Sequence, residues 1–188
     1  MVAALLVITL VSGLSLGYVN DLTLEPKAKA RLAKKVNALN TVLADYDNDP
    51  VNEVLKMPSE ASADSLEIYP AFKGELFAGA AVTGHSERGY SGPVKVMVGF
   101  SPDGSIRDIV VLEQKETPGL GTKMKGASFL RQFRAKNPSV FNLQVKKDGG
   151  EVDALAGATI STRAFTEAVA EAHAAFLKYR TSRAITEN

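Results

Sequence analysis

Apolar and polar positions divide this chain into three regimes. Residues 1–20, MVAALLVITLVSGLSLGYVN, carry no charged side chain. The apolar part runs from Val2 to Val19; as a helix rising 1.5 Å per residue it would be about 27 Å long, close to the ~30 Å hydrocarbon core of a bilayer. From residue 22 the apolar residues Leu22, Leu24, Ala28, Leu32, Val36, Leu39 and Leu43 recur mostly at intervals of three or four. That spacing predicts an amphipathic helix leaving the membrane over 22–46, with Pro26 near its start or at a kink. Residues 47–65 are polar with two prolines and read as a linker.

The pattern then changes to strands at 66–73, 75–86, 94–100 and 106–114. Alternation is clearest at Val94, Val96, Val98 and Phe100. Asp103-Gly104 sits between the last two runs and supplies a hairpin turn. A short helix is expected over 126–137 with Phe129, Leu130 and Phe133 inward, ended before Pro138. Two short strands near 143–146 and 151–154 would flank the turn at Asp148-Gly149-Gly150. A last helix from about Ser161 to Arg180 would bury Phe165, Val169, Ala172 and Phe176. The expected architecture is α+β: an N-terminal transmembrane helix followed by a twisted antiparallel sheet with packed helices. The expected divisions are 1–20, a membrane helix; 21–65, an exit helix and linker; 66–180, the folded domain; and 181–188, a polar tail.

Composition narrows the chemistry. With 188 residues, 45% of them hydrophobic, the chain suits one domain plus an appendage. The 22 basic and 21 acidic residues leave a net charge of +1, without the basic excess of a nucleic-acid binder. There is no cysteine, which excludes disulfides, thiolate metal sites and thiol nucleophiles within the chain. His85 and His173 are the only histidines, too few for a metal site built mainly on imidazole.

The N-terminal stretch reads as a retained anchor, because a cleaved signal peptide needs a basic leading segment. Thr9, Gly13 and Gly17 are spaced by four and form a small-residue stripe suited to another membrane helix. Lys27, Lys29, Arg31, Lys34 and Lys35 follow the span, so the positive-inside rule alone places the body of the protein in the cytoplasm. A span beginning at residue 2 has no flank to hold it at the interface, and a short basic leader ahead of it is expected.

Two stretches carry candidate chemistry. Residues 153–162 read DALAGATIST, where Thr159, Ser161 and Thr162 crowd the start of the last helix. A helix N-terminus offers unsatisfied N–H groups and partial positive charge to an anion. Gly157 and Ala158 leave the approach open. On the residues alone, the hydroxyls are either ligand groups or redundant helix caps. The second stretch, 115–122, reads KETPGLGT. Pro118-Gly119 sets a tight turn, Gly121 keeps the backbone bare, and Lys123 and Lys125 follow. Alone it is an ordinary loop.

Together the two stretches, with Gly89-Tyr90-Ser91-Gly92 before the hairpin and the single N-terminal span, resemble the FMN-binding family that includes the G subunit of the Rnf electron-transport complex. The C subunit of the sodium-pumping NADH:quinone reductase is a close relative of that family. The motif Asp153-x-x-Ala156-Gly157-Ala158-Thr159 resembles the family's flavinylation signature, although the family usually has Ser or Thr where this chain has Ala156. The resemblance implies that Thr159 carries FMN through a phosphoester bond, made by a separate flavin transferase that uses FAD. Asp153 would mark the site for modification. It also places Ser161 and Thr162 about the phosphate, beside Gly157 and Ala158. Glu116, Thr117, Leu120, Gly121 and Thr122 would lie about the ring or ribityl chain, with Lys123 near the reduced ring.

A threonine hydroxyl is a poor nucleophile, and neither histidine stands beside Thr159 in sequence, which fits modification by an external enzyme. The implied function is an electron relay in a membrane complex that couples electron flow between ferredoxin and NAD to Na+ or H+ transport. Its partners would be the membrane flavoprotein and iron–sulfur subunits. The family places the flavin domain outside the bacterial or archaeal cytoplasmic membrane, against the charge count. The alternatives are the quinone-reductase subunit and, from another class, a membrane-tethered binding or scaffold module without redox chemistry.

Overall fold

A computed structural model describes residues 1–59 and 65–186 of the chain. These residues form two compact units, Met1–Asn37 and Ala38–Asn188.

The first unit is helical. Helix α1 runs Val2–Val42, its last residues belonging to the second unit, and carries Pro26 within it. The exit helix expected over 22–46 is therefore not a separate element, and it stops four residues early. Every side chain from Met1 to Leu22 is exposed, which in water would leave a large apolar surface uncovered. Among the described residues this is the one helix long and apolar enough to cross a membrane, and it fits a single-pass membrane protein. Thr9 donates its hydroxyl to the carbonyls of Leu5 and Leu6, both at 3.0 Å, so its polar group is satisfied within the helix. Added Cβ atoms at Gly13 and Gly17 would meet nothing within 4 Å.

The second unit is built on a five-stranded antiparallel sheet in sequential order: β1 Leu55–Pro58, β2 Ser65–Lys73, β3 Leu76–Ser86, β4 Val94–Phe100 and β5 Ile106–Glu113. Strands β2 to β5 lie within a residue of the expected bounds. Strand β1 falls inside the stretch read as linker. It is mostly exposed and ends at Pro58, so it gives no hydrophobic alternation; its edge position is where a proline is tolerated. Residues 60–64 of that stretch, and residues 187–188 of the expected tail, lie outside the described residues. The β4–β5 hairpin closes as expected. Gly104 has φ +91, and Ser101 and Ser105 are bonded across the turn at 2.9 Å.

One sheet face packs against α2 Ala127–Leu130 and α3 Thr159–Thr186. The four helix positions expected to be inward, Phe165, Val169, Ala172 and Phe176, are all fully buried. α3 lies directly on the strand backbone at Gly84, where an added Cβ would stand 2.0 Å from the Ala168 carbonyl oxygen. The opposite face buries Ala38, Leu39, Val42 and Leu43 against Tyr69, Ala71, Ala81, Met97 and Leu112. There an added Cβ at Gly99 would stand 2.0 Å from the Val42 carbonyl oxygen.

Three local expectations change. The helix expected over 126–137 shortens to α2, although Phe129, Leu130 and Phe133 are buried as expected. Ala135 takes φ +58 and donates its N–H to Ile106 O, while Ile106 N donates to Lys136 O; pairing with the start of β5 replaces helical bonds. The two short strands reduce to one parallel bridge, Val145 with Val152, because a 3-10 turn at Lys146–Asp148 redirects the chain. Finally, α3 begins at Thr159 rather than Ser161 and continues to Thr186 rather than Arg180.

His173 contributes a pH dependence. Its ring is buried beside Phe100, with centroids 5.6 Å apart, and Nε2 has no hydrogen-bond partner among the described residues. Burial, then the nearby Arg180 charge, lowers its pKa. Near pH 6.5 and below, the unfolded chain takes up a proton that the folded chain resists, so stability falls as pH drops through about 6.5 towards the depressed folded value. The melting temperature is expected to decline over this range, and less steeply in His173→Gln. Parallel slopes in melts of the two proteins would remove His173 as the cause.

Candidate functional site

One cavity of about 510 Å³ gathers residues from three separate segments. Glu116, Thr117, Leu120 and Gly121 come from the loop after β5. Gly157, Ala158, Thr159, Ile160 and Ser161 come from the start of α3. Tyr90 comes from the loop between β3 and β4. The volume falls within the range of about 300–1,000 Å³ usual for small-molecule sites. The sheet explains the convergence: β3–β4 and β5–α3 connections leave from neighbouring strands, and α3 lies across β3 and β4.

The start of α3 presents backbone donors beside the cavity. Gly157 adopts φ +72, a left-handed conformation that favours glycine, and turns the chain into the helix. Ala158 precedes the first helical residue, so the cap position offers no side-chain acceptor. Ala158 N is bonded to Leu155 O at 3.0 Å and Thr162 N to Ala158 O at 3.0 Å. Among the described residues, the intervening N–H groups of Thr159, Ile160 and Ser161 have no acceptor. Orphan N–H groups at the positive end of a helix dipole, beside a cavity, suit an anion.

The three hydroxyls have different roles. Thr162 Oγ1 donates to Ala158 O at 3.0 Å and accepts from Leu155 N at 3.1 Å. It is buried, outside the cavity lining, and closes the turn that starts the helix. Ser161 Oγ donates to Glu116 Oε2 at 2.6 Å, so its proton is committed to a carboxylate. Thr159 is half-buried in the lining, and its hydroxyl has no partner among the described residues. Of the cluster, only Thr159 has an uncommitted hydroxyl facing the cavity.

Glu116 is buried although its side chain is a carboxylate. Besides Ser161, it accepts from Ser91 N at 3.3 Å. Leu120 and Tyr90 are exposed at the rim, and Leu120 Cδ2 lies 3.4 Å from where a Cβ on Gly157 would stand. They give the opening apolar surface against which a planar ring can pack.

Several expected contacts do not reach the cavity. Thr122 Oγ1 accepts from Gly119 N at 3.0 Å and shapes the Pro118-Gly119 turn. Lys123 and Lys125 are exposed outside the lining, so the helix N-terminus, not lysine, supplies positive character there. Asp153 is exposed, paired with Lys146 Nζ at 2.7 Å, and its backbone exchanges bonds with the Gln132 amide. Ala156 is exposed and offers no polar atom. Neither His85 nor His173 lines the cavity. Tyr90 and Ile160 line the cavity in addition to the residues expected there. Tyr90 was visible within GYSG, and Ile160 lies between two residues that were assigned, but an apolar residue in a helix start carries no sequence signal of its own.

The donor set suits FMN: orphan N–H groups for a phosphate and an apolar rim for the ring. Comparison with known proteins bears on this directly. Residues 89–174 match the family described as the FMN-binding domain. A protein from Stutzerimonas stutzeri, named as the G subunit of an ion-translocating oxidoreductase complex, is 34% identical over 92% of this chain and 75% of its own length. The G subunit of the Na(+)-translocating ferredoxin:NAD(+) oxidoreductase complex of Acetobacterium woodii is 31% identical over 88% of this chain and 84% of its own. The crystal structure of Shewanella oneidensis NqrC shares the fold, with a TM-score of 0.50 at 20% identity over 72% of this chain and 75% of that one.

Proposed function

We infer the function of this chain from the fact that it belongs to the FMN-binding family of the G subunits of ion-translocating oxidoreductase complexes. It is a membrane-anchored flavoprotein subunit that relays electrons within an Rnf-type ferredoxin:NAD oxidoreductase complex coupled to Na+ or H+ transport. The single observation that carries the reading is the cavity at the start of α3, with its orphan N–H groups and the uncommitted Thr159 hydroxyl. The chain acts as one component of the translocase. Its neighbours are the membrane flavoprotein and iron–sulfur subunits.

FMN is held covalently at Thr159. In the modification, Thr159 Oγ1 bonds to the flavin-side phosphorus of FAD, the pyrophosphate bond breaks, and AMP leaves with the hydroxyl proton. An external flavin transferase supplies the activation, because a threonine hydroxyl needs a base and, among the described residues, none is hydrogen-bonded to Thr159 Oγ1. The N–H groups of Thr159, Ile160 and Ser161 then hold the phosphate. Leu120 and Tyr90 cover the ring at the rim. Bound FMN supplies the electron chemistry, and the protein around it supplies orientation, charge and exclusion of water. Asp153 lies outside the cavity and is read by the transferase rather than by the flavin.

The function is tested by the visible spectrum of the protein purified from membranes of cells that also make the transferase. Flavin bands that bleach with a reductant and remain with the chain after denaturation are expected. A colourless protein would support the scaffold reading instead.

The soluble unit faces the outside of the cytoplasmic membrane. The basic cluster after the span favours the opposite side by itself, and partner subunits fix the orientation. An impermeant amine label applied to intact spheroplasts is expected to modify lysines of the soluble unit, such as the exposed Lys123 and Lys147. Labelling only after lysis would place the unit in the cytoplasm.

A further inference from the structure

Glu116 stands out because a buried carboxylate lines a cavity otherwise suited to an anion. Its surroundings are fitted to it. One oxygen receives the Ser161 hydroxyl from α3 at 2.6 Å, and the other receives Ser91 N–H from the β3–β4 loop at 3.3 Å. Its own backbone N–H donates to Gln114 Oε1 at 2.6 Å. Two glycines leave room for it. An added Cβ at Gly89 would stand 2.6 Å from Glu116 Oε1, and one at Gly121 would stand 2.6 Å from both Glu116 Cβ and Ser161 Oγ. The carboxylate thus joins all three segments of the cavity.

We propose that Glu116 is a positioning residue that latches the β3–β4 loop and its own loop to the start of α3, and that its buried charge lowers the reduction potential of the bound flavin. The inference rests on FMN occupying this cavity. The latch follows from the bonds. Without the carboxylate, Ser161 Oγ and Ser91 N lose their shared acceptor, and the segments that frame the Thr159 hydroxyl lose their link. The potential follows from charge. Glu116 is buried in the lining of the cavity that would hold FMN, so an electron added to the flavin raises the negative charge that faces this carboxylate, and reduction becomes harder. The same carboxylate holds the Ser161 proton, so that hydroxyl does not donate to the phosphate. The phosphate is left to the orphan N–H groups on the Thr159 side.

Two variants separate the parts. Glu116→Gln keeps the shape and an acceptor for Ser161 but removes the charge. The fraction of Glu116→Gln that carries covalent FMN is expected to show a more positive flavin midpoint potential in a spectroscopic redox titration. Glu116→Ala removes the latch and is expected to slow FMN loading severalfold in a timed reaction with transferase and FAD, followed by intact mass. A residue with a merely structural role would not move the midpoint of Glu116→Gln. An unchanged or more negative midpoint in that variant would overturn the charge argument, and wild-type loading kinetics in Glu116→Ala would overturn the latch. Both failures differ from failure of the FMN reading itself, in which the wild type carries no flavin and this inference falls with it.

Discussion

Thr159→Val, made together with the flavin transferase, is expected to give a folded protein with no covalent flavin. In a denaturing gel viewed under ultraviolet light, the wild-type band should fluoresce and the variant band should not. The prediction is close to all-or-none because valine keeps the shape of threonine and lacks the one oxygen that can bond to phosphorus. Ser161 and Thr162 are not substitutes. The Ser161 proton is held by Glu116 Oε2 at 2.6 Å, and Thr162 is buried with its hydroxyl closing the turn at Ala158. Stability should change little, within about 0.5 kcal/mol, since the Thr159 hydroxyl has no partner to lose among the described residues and the surrounding core is untouched. A fluorescent Thr159→Val band would move the attachment elsewhere.

Phe165→Ala is expected to cost roughly 3–5 kcal/mol of stability. Phe165 is fully buried and meets the Phe129 ring edge-on at a centroid distance of 5.1 Å and the Phe133 ring at 5.2 Å. Its removal takes the contact that ties the second turn of α3 to α2 and leaves a cavity that these rings cannot close together. Domains of this size are commonly stable by only about 5–15 kcal/mol, so the variant should unfold at markedly lower denaturant. Denaturant melts of the two proteins check this, and a shift below about 1 kcal/mol would mean that the aromatic cluster repacks. FMN loading is expected to fall as well, because Phe165 steadies the helix whose first turn holds Thr159.

Much of this was legible in the sequence, for identifiable reasons. Strands β2 to β5 were readable because their residues alternate or run apolar between turn residues, and Asp103-Gly104 marked the hairpin. The inward face of α3 followed from its three- and four-residue spacing. The cavity residues Glu116, Thr117, Leu120, Gly121, Gly157, Ala158, Thr159 and Ser161 were all named from two motifs, and the fold brought them together. What escaped depended on tertiary contacts. Strand β1 has no pattern because it is an exposed edge. The expected second half of the 126–137 helix was lost to pairing between Ala135, Lys136 and Ile106. Thr122 and Thr162 have the chemistry of ligands but spend it on their own turns. That Glu116 and Ser161 bond across 45 positions could not be read from spacing.

The hydroxyl cluster shows how geometry divides residues that sequence treats alike. Three hydroxyls at a helix start suggested redundancy in capping or a shared phosphate site. In the fold, one closes a turn, one is held by a carboxylate, and one lines the cavity beside three N–H groups that have no acceptor among the described residues. This division leaves Thr159 as the hydroxyl of the three that is open to the cavity, which supports the attachment proposed there.

The most direct test of the account is the mass of the intact wild-type chain made with an active flavin transferase, followed by fragmentation of the modified peptide. The account predicts an increment of one FMN less one water, located on Thr159. An unmodified mass under those conditions, or an increment on any other residue, would contradict it.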